Sequence, residues 1–393
     1  MKTDSEHDLS GFPPSVLIIN SAHKWVGEAE HSMNLVQGLR SRGIDAILVC
    51  RRNFPLEDYA KKNNIPHYAI KMNTNFNGIH DLLDFLKLRS IIKKHNISVI
   101  HCHRGKDHWL SACTRLFIPR EKRPALIRTR HVTVPVKKHI FNKWLYKNAT
   151  DAVIAVSKKS ASSLDGLPLP APPAIIYAAV DSRRFSPDKR SEQMRRQCGI
   201  PQTDPQAPLI GLVGRLQRIK GQHIFIQSIK KILGVFPNAR FVIAGKGSER
   251  KYLPLIKLAK EKGVFGHIYT PGFMDNIEEL IASLDVGVIA SLGSEGSSRI
   301  CMEYMASRIP IVATSVGGIP ELLEEGNLGA LINPGNPDDL ASVVIEILSN
   351  KTPAREKVEN AHKKALEFLN LDRFIDETLA IYRKYSFPPP EFY

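Results

Sequence analysis

The chain alternates short apolar runs with longer amphipathic segments along almost its whole length. The runs are continuously apolar and rich in β-branched residues, which is typical of strands in parallel sheets covered on both faces. They read VLIIN, AILVC, SVIHCH, LIRTRH, AVIAVS and AIIYAAV in the first half, and LIGLVG, FVIAG, HIYTPG, VGVIA, PIVAT and GALINP in the second. Two such sets predict an α/β chain with two doubly wound, Rossmann-like domains.

A charged, proline-containing segment separates the two sets and is predicted to connect the domains. We therefore expect a first domain over residues 1–181 and a second over 182–370. At 393 residues, of which 43% are hydrophobic, the chain is long enough for two cores. The segment from about Leu371 to Tyr385 has the pattern of a final helix, which the prolines of the tail FPPPEFY end.

Ligands of doubly wound sheets bind beyond the carboxyl ends of the strands. If the two sheets face each other with these ends inward, they form a cleft between the domains, and we expect the ligand there. The ends carry polar residues and glycines, namely His101 and His103, Arg128 to His131, Gly214 and Arg215, Gly245 to Gly247, Gly272, and Glu295.

Glu295 and Glu303 stand eight positions apart, one in a Gly/Ser loop after the run VGVIA and one in the helix that follows. Such a strand–loop–helix junction directs backbone N–H groups and the positive end of a helix dipole toward an anion. The two carboxylates can then hold hydroxyl groups of a ligand whose phosphates meet the dipole. The pair favours a nucleotide sugar, although Glu303 could instead be an exposed helix residue.

The segment GRLQRIKG, residues 214–221, contains two cations, Arg215 and Lys220, that can reach one diphosphate. A nucleoside diphosphate gains charge as it leaves a sugar, so fixed cations stabilise the transition state more than the ground state. The alternative is a solvated basic loop. The segment AGKGSER, residues 244–250, lacks the third glycine of a dinucleotide motif and is predicted to be a turn that lines the same cleft.

Several residues of the first half are candidates for contact with the nucleotide sugar (the donor) or with the molecule that receives its sugar (the acceptor). His131 ends the run LIRTRH and could touch the transferred sugar or take a proton, although a histidine at a strand end is often structural. Arg128 and Arg130 in the same run could bind an acceptor phosphate, and His103 lies at another strand end. Gly27 precedes a helix, where the absence of a Cβ lets the backbone approach a phosphate closely.

The net charge is +16, and most of it lies in residues 1–180, which hold 27 Lys and Arg against 14 Asp and Glu. This imbalance predicts an anionic partner: a phosphorylated acceptor, an acidic membrane surface or nucleic acid. Binding of nucleic acid would need aromatic residues interleaved with the charges, and it leaves Glu295 and Glu303 unexplained. We therefore expect no nucleic acid.

Residues 135–149 predict a basic helix on which Ile140, Trp144 and Leu145 share one stripe, flanked by lysines. Two interpretations remain open. The helix either packs this stripe into its own domain, or it lies on anionic lipid or a lipid-linked acceptor.

Signals for metals and other cofactors are missing from the sequence. No Asp-x-Asp pair occurs, and no cluster of histidine, cysteine and glutamate has the spacing of metal ligands. We therefore expect no metal and no other cofactor, with Arg215 and Lys220 in the role that Mg²⁺ has elsewhere. Five scattered cysteines predict free thiols in a reducing cytoplasm. No apolar run approaches the roughly 20 residues of a membrane span, and the acidic first segment does not resemble a signal peptide.

Taken in order, these motifs resemble those of glycosyltransferase family 4, whose members are retaining enzymes of the GT-B fold. The resemblance covers nearly the whole chain. It is carried also by the first glycine loop, AVIAVS (152–157), AAVDSRRFSP (178–187), Gly-Phe at 272–273 and GGIPELLEEGNLGALINPGNPDDLA. Three positions depart from the family pattern: Val26 before Gly27, Ala178-Ala179 in place of Asn-Gly, and Lys246 where an acidic residue is common.

The resemblance implies that Arg215 and Lys220 bind the donor diphosphate, that Glu303 binds the ribose, and that Glu295 binds the sugar hydroxyls together with loop amides. The last helix, within residues 371–393, would cross back onto the first domain, and His131 falls where the family has a histidine near the transferred sugar. The predicted donor-binding residues are Gly27, Gly214, Arg215, Lys220, Gly245, Gly247, Gly272, Phe273, Glu295, Gly296, Ser297, Ser298 and Glu303. The predicted catalytic residues are Glu295, His131, Arg215 and Lys220, and the acceptor-side candidates are Arg128, Arg130 and His103.

We therefore predict a metal-independent, retaining glycosyltransferase that moves a sugar from a nucleotide-diphosphate sugar to a hydroxyl of a glycan or a lipid-linked anionic acceptor. We expect it to act in the synthesis of lipopolysaccharide or another cell-surface glycan, in the cytoplasm or at the inner face of its membrane. Two alternatives remain. One is a nucleotide-sugar epimerase on a similar fold, for which only His131 is placed as a base, and the other is a non-catalytic anion- or nucleic-acid-binding protein.

Overall fold

The structure is a computed structural model that describes residues 15–73, 78–293 and 295–386, and the chain divides into two compact units. The first unit holds the described residues up to Ala178 and those from Leu371 onward, and the second is Ala179–Asn370. The first segment and the proline-containing tail, for which the sequence analysis made predictions, lie outside the described residues. Each unit is built on one parallel sheet, which confirms the predicted fold class.

The first unit contains a seven-stranded parallel sheet whose strands are β1 (Ser15–Asn20), β2 (Asp45–Arg51), β3 (His67–Ile70), β4 (Val99–Cys102), β5 (Ala125–Arg130), β6 (Ala152–Ala155) and β7 (Ala174–Ile175). They lie in the order β3-β2-β1-β4-β5-β6-β7. All residues of β1 are buried, because helices cover both faces of the sheet. Strand β3 was not predicted, because this short, half-buried edge strand lacks a continuous apolar run.

Six helices connect these strands: α1 (Gly27–Ser41), α2 (Pro55–Lys62), α3 (Gly78–Lys94), α4 (Gly105–Leu116), α5 (Ile140–Asn148) and α6 (Lys158–Ser162). The predicted helix over 135–149 therefore starts later, at Ile140. The side chain of His139 caps it by accepting a hydrogen bond from the backbone N–H of Asn142.

The stripe predicted on α5 does not face a single environment. Leu145 is buried in the core of the first unit, whereas Ile140 is 75% exposed. Trp144 lies between these extremes, partly buried and stacked on Trp109 with ring centres 6.1 Å apart. The prediction that the three residues act together was wrong in this respect, and Phe141, 66% exposed, accompanies Ile140 instead.

The second unit contains a six-stranded parallel sheet whose strands are β8 (Leu209–Val213), β9 (Arg240–Ala244), β10 (Ile268–Gly272), β11 (Val286–Ile289), β12 (Ile311–Thr314) and β13 (Ala330–Ile332). They lie in the order β10-β9-β8-β11-β12-β13. The helices are α7 (Glu192–Gln197), α8 (Gln222–Leu233), α9 (Glu249–Glu261), α10 (Ile277–Ala282), α11 (Arg299–Ala306), α12 (Ile319–Leu322), α13 (Pro337–Ser349) and α14 (Lys351–Phe368). None of the helices in the described residues is long and apolar enough to cross a membrane.

The last helix, α15 (Leu371–Ser386), belongs to the first unit and packs against α1. Arg42, just after α1, forms an ion pair with Asp372 at 3.0 Å. Deeper in the unit, the hydroxyl of the buried Tyr382 lies 2.6 Å from Nδ1 of His101 at the end of β4. An apolar face, an ion pair and a buried hydrogen bond thus fasten α15 in place.

A buried arginine anchors the segment that precedes the second sheet. Arg195 in α7 donates from Nη1 to the carbonyl of Ser283 and to Oδ2 of Asp285, each at 2.9 Å. Its Nη2 donates to the carbonyls of Pro205 at 3.2 Å and Ala207 at 2.9 Å. Because the guanidinium satisfies four acceptors, the charge is compensated inside the protein.

We expect Arg195→Ala to lower the free energy of unfolding by about 1–3 kcal/mol, because it leaves the carbonyls of Ser283 and Ala207 without their donor and removes one of the two arginines that pair with Asp285. Arg196 is the matched control: it is the next residue of the same helix and is exposed. Arg196→Ala should change stability by less than about 0.5 kcal/mol. Denaturant unfolding followed by circular dichroism measures both, and equal losses would contradict the anchoring role of Arg195.

Candidate functional site

The candidate residues of the second unit lie in loops at the carboxyl edge of its sheet. Backbone hydrogen bonds join the loops after β8, β9 and β10. The N–H of Gly214 donates to the carbonyl of Ala244 at 2.9 Å, and the N–H of Gly245 donates to the carbonyl of Gly272 at 2.7 Å. A further bond runs from the N–H of Leu216 to the carbonyl of Lys246. The predicted glycines of these loops therefore form one continuous backbone edge.

Glu295 and Lys220 form an ion pair at this edge. Glu295 is only 5% exposed, and its Oε1 also accepts a hydrogen bond from the hydroxyl of Ser291 at 2.5 Å. Lys220 ends a short 3-10 turn and is partly exposed. The two residues were predicted to bind different parts of the ligand, whereas in the structure they pair with each other.

The backbone of the Glu295 loop is held by the segment after β12. The carbonyl of Glu295 accepts a hydrogen bond from Gly318 N at 2.8 Å. Gly317 has a φ of +61°, and a Cβ at this position would overlap that same carbonyl. Ser298, at the start of α11, is buried, and its hydroxyl has no hydrogen-bond partner among the described residues. The paired glycines thus fix the loop that carries Glu295.

Glu303 is not the exposed helix residue of the alternative interpretation. Arg299, one turn earlier on α11, lies 3.7 Å from Oε1 of Glu303, and both side chains are mostly buried. Nη1 of Arg299 lies 3.5 Å from the carbonyl of Ala179. The next residue, Tyr304, fastens the helix to β8, because its buried hydroxyl donates to the carbonyl of Gly211 at 3.2 Å. Arg299 was not predicted as a site residue, although its spacing from Glu303 is that of a helical ion pair.

The two cations of the segment 214–221 are in different electrostatic states. Lys220 is compensated by Glu295, as described above. Arg215 is exposed, and its guanidinium has no ion pair with any described residue. Phe273, predicted beside the donor, is also largely exposed. Arg215 therefore offers an uncompensated positive charge to an anion at this edge.

In the first unit, two of the predicted residues meet a third histidine that the sequence analysis did not single out. His103 follows β4, His131 follows β5, and His31 lies on α1. Nδ1 of His103 and Nε2 of His131 are 3.0 Å apart. Burial, together with neighbouring histidines and Arg128, holds the pKa of both residues well below the usual range. Their imidazoles are therefore neutral at pH 7.

The other candidates of the first unit are held by their own domain. Arg128 is buried, with Nη1 3.3 Å from the carbonyl of Cys102. Arg130 donates from Nε to the hydroxyl of Ser163 at 2.9 Å. Gly27 is the first residue of α1, as expected for a loop-to-helix junction. Binding of an acceptor phosphate by the two arginines stays a prediction.

Comparisons with known proteins agree with this architecture. A family model described as Glycosyltransferase Family 4 matches residues 27–184, and one described as Glycosyl transferases group 1 matches residues 207–350. The chain is 28% identical over 377 residues to an uncharacterized glycosyltransferase of Methanocaldococcus jannaschii, covering 91% of this chain and 94% of the relative.

Two further likenesses concern a relative and a solved structure. The chain is 30% identical over 200 residues to a lipopolysaccharide core biosynthesis mannosyltransferase of Rhizobium meliloti, covering 49% of this chain and 53% of the relative. The structure of Anabaena HepE in complex with UDP is similar with a TM-score of 0.81, at 19% identity over 94% of this chain and 100% of that chain. The structural likeness establishes the fold.

We expect Gly317→Ala to displace the Glu295 loop, because an alanine there has an unfavourable φ and overlaps the Glu295 carbonyl. The free energy of unfolding should fall by more than about 1 kcal/mol, and the amides of residues 295–298 should exchange hydrogen faster. Gly293→Ala is the control, because a Cβ at Gly293 meets nothing within 4 Å. Unchanged exchange in Gly317→Ala would show that the loop does not depend on this glycine.

Proposed function

Since the chain belongs to the family 4 glycosyltransferases of the GT-B fold, we propose that it transfers a sugar from a nucleotide-diphosphate sugar to an acceptor hydroxyl, with retention of configuration and without a metal ion. The observation that carries this proposal is the ion pair of Lys220 and Glu295 at the carboxyl edge of the second sheet. This ion pair places Lys220, a cation that can bind phosphate, beside Glu295, a carboxylate that can bind sugar hydroxyls. Arg215 adds a second, uncompensated cation near the same loop.

In the proposed reaction, the bond between the anomeric carbon and the diphosphate oxygen breaks, and the acceptor oxygen forms its bond on the same face of the sugar. The proton of the acceptor hydroxyl passes to the departing phosphate oxygen, so no protein nucleophile is needed. Arg215 and Lys220 stabilise the charge that grows on the leaving group. Glu295 orients the sugar through its hydroxyls, and His131, as a neutral imidazole, can share a hydrogen bond with the sugar.

Glu303 is proposed to accept hydrogen bonds from the ribose of the nucleotide. Arg299 supports this role, because its guanidinium lies 3.7 Å from the carboxylate of Glu303 and orients it on α11. HepE of Anabaena was solved with UDP. Uridine diphosphate sugars are therefore the first donors to test.

The acceptor is proposed to be a cell-surface glycan or its lipid-linked, anionic precursor. The Rhizobium meliloti relative is named for lipopolysaccharide core biosynthesis, and the basic first half suits an anionic acceptor. On α5, Ile140 and Phe141 are exposed beside Lys143, and Lys137 and Lys138 precede them. Exposed apolar side chains among lysines suit the headgroup region of an anionic membrane.

Substitution of Glu295 and of Glu303 should change different kinetic constants. We expect Glu295→Gln to lower chiefly kcat, because its target is the reacting sugar, and Glu303→Gln to raise chiefly KM for the donor, because the ribose is bound alike in ground and transition states. Glu356→Gln on the exposed surface of α14 is the control and should be unchanged. Steady-state kinetics with a panel of nucleotide sugars measures these effects, and full activity of both variants would place the donor elsewhere.

We expect Arg215→Ala and Lys220→Ala each to lower the rate by about 10²–10³, because each removes a charge that acts most strongly on the departing diphosphate. Lys220→Ala also leaves Glu295 without its cation. Arg218→Ala, which removes an exposed arginine from the same turn, should retain the wild-type rate. Excess chelator should leave the wild-type rate unchanged, and a strict need for Mg²⁺ or Mn²⁺ would contradict the proposed mechanism.

We expect salt-sensitive binding to anionic vesicles and little binding to neutral ones, because each lysine near an anionic surface contributes roughly 1 kcal/mol. Joint substitution of Lys137, Lys138, Lys143 and Lys147 by glutamate should weaken the binding. The control places four glutamates at the exposed Lys251, Lys257, Lys260 and Lys262 of the second unit. Vesicle co-sedimentation measures all three proteins. Equal binding to both vesicle types would favour a soluble acceptor.

A further inference from the structure

Three histidines of the first unit converge from separate elements. We propose that His31, His103 and His131 bind one divalent transition-metal ion of the zinc type. One nitrogen of each imidazole lies within 4.8 Å of those of the other two. The three residues are far apart in the sequence and lie on α1, after β4 and after β5, so their spacing along the chain carries no metal signal.

The distances between the rings are those of a three-histidine site. The ring centres are 4.7 Å apart for His31 and His131, 5.3 Å for His103 and His131, and 5.6 Å for His31 and His103. Three imidazoles that share one tetrahedral zinc ion, with Zn–N bonds of about 2.0–2.1 Å, have ring centres about 5 Å apart. The nitrogens lie within 4.8 Å of one another, so the rings must close by up to about 1.5 Å to share one ion.

Hydrogen bonding within the described part of the chain leaves one ring nitrogen of the cluster without a partner. Nε2 of the buried His103 has no partner among the described residues, and its Nδ1 lies 3.0 Å from Nε2 of His131. Two nitrogens bound to one tetrahedral zinc ion lie about 3.3 Å apart, so an ion can take the place of the proton that these two share.

Neighbouring side chains fix the orientation of the ligands. His101 stacks on His103 with ring centres 4.6 Å apart, and it is held in turn by Thr129 and Tyr382, each with a 2.6 Å contact. Phe374 of α15 meets the ring of His31 edge to face at 4.6 Å. Outer-shell contacts of this kind support the ligands of metal sites.

Both positively and negatively charged side chains surround the three histidines. Arg128 and Arg104 act on these histidines, and the carboxylates of Asp107 and Glu28 lie among the same charges. With three neutral ligands, the fourth position is left for water or an anion. An all-nitrogen site selects zinc, cobalt, nickel or copper over Mg²⁺ and Ca²⁺, which prefer oxygen ligands. The ion is distinct from a metal on the donor diphosphate, which the proposed transfer does not use. It binds Nε2 of His131, the nitrogen that faces His103, and leaves Nδ1 for the contact with the sugar, so the transfer itself needs no metal.

The test is a titration of the full-length protein with Co²⁺, whose visible absorption reports tetrahedral coordination. We expect one Co²⁺ per chain, displaced by Zn²⁺ and not by Mg²⁺. His31→Ala and His103→Ala should each weaken binding by more than about 100-fold, since loss of even an outer-shell partner costs up to that much. His108→Ala is the matched control, because His108 is equally buried but bonds to Thr150 outside the cluster.

Anomalous diffraction at the zinc edge, on crystals of the wild-type protein, locates the ion even if a variant fails to fold. A peak between the three imidazoles supports the site. Absence of binding at micromolar Zn²⁺, a peak elsewhere, or a Co²⁺ spectrum that His31→Ala leaves unchanged would overturn it and make the cluster a hydrogen-bonded core. None of these measurements uses sugar transfer, so the proposed site and the proposed function can fail separately.

Discussion

Every paired strand in the described residues is parallel to its neighbours, and this constraint decides where polar chemistry lies in both units. Parallel pairing needs crossover helices, which bury both faces of a sheet, so its strands are apolar along most of their length. Polar groups are then concentrated toward the strand ends, as Arg128 to Arg130 are in β5. All carboxyl ends of one sheet meet at the same edge, which is why Lys220 after β8 reaches Glu295 after β11, its neighbour in the sheet.

The sequence was sufficient for features that depend on local pattern. Continuous apolar runs located the strands, and their flanking residues located the loops, with the short edge strand β3 as the exception. Pairing between distant residues depends on strand order, which one sequence does not reveal. The partnership of Lys220 with Glu295 and the convergence of His31 with His103 and His131 are of this kind. On α5, amphipathic spacing identified apolar positions but could not say that Leu145 packs inward while Ile140 does not.

The charges of the candidate donor site are largely neutralised within the protein. Lys220 is paired with Glu295, and Glu303 lies against Arg299. Such pairs hold long side chains in one orientation before a ligand arrives, so less conformational entropy is lost on binding. The exposed Arg215 differs from these paired residues, because only solvent and salt screen its charge. Its charge can therefore attract an anionic ligand from a longer distance. Orientation and attraction are therefore supplied by different residues.

The seating of α15 in the first unit also bears on the order in which the protein is made. Because α15 follows the second unit in the chain, the first unit is discontinuous, and its Tyr382–His101 contact joins residues 281 positions apart. During synthesis the second unit can finish folding as soon as it leaves the ribosome, whereas the first must wait for the final helix. Until then the surface of α1 that receives α15 stays exposed to solvent. This surface includes Gly38, against which Ile375 of α15 packs in the folded unit. Such delayed, long-range closure slows folding and prolongs exposure to aggregation.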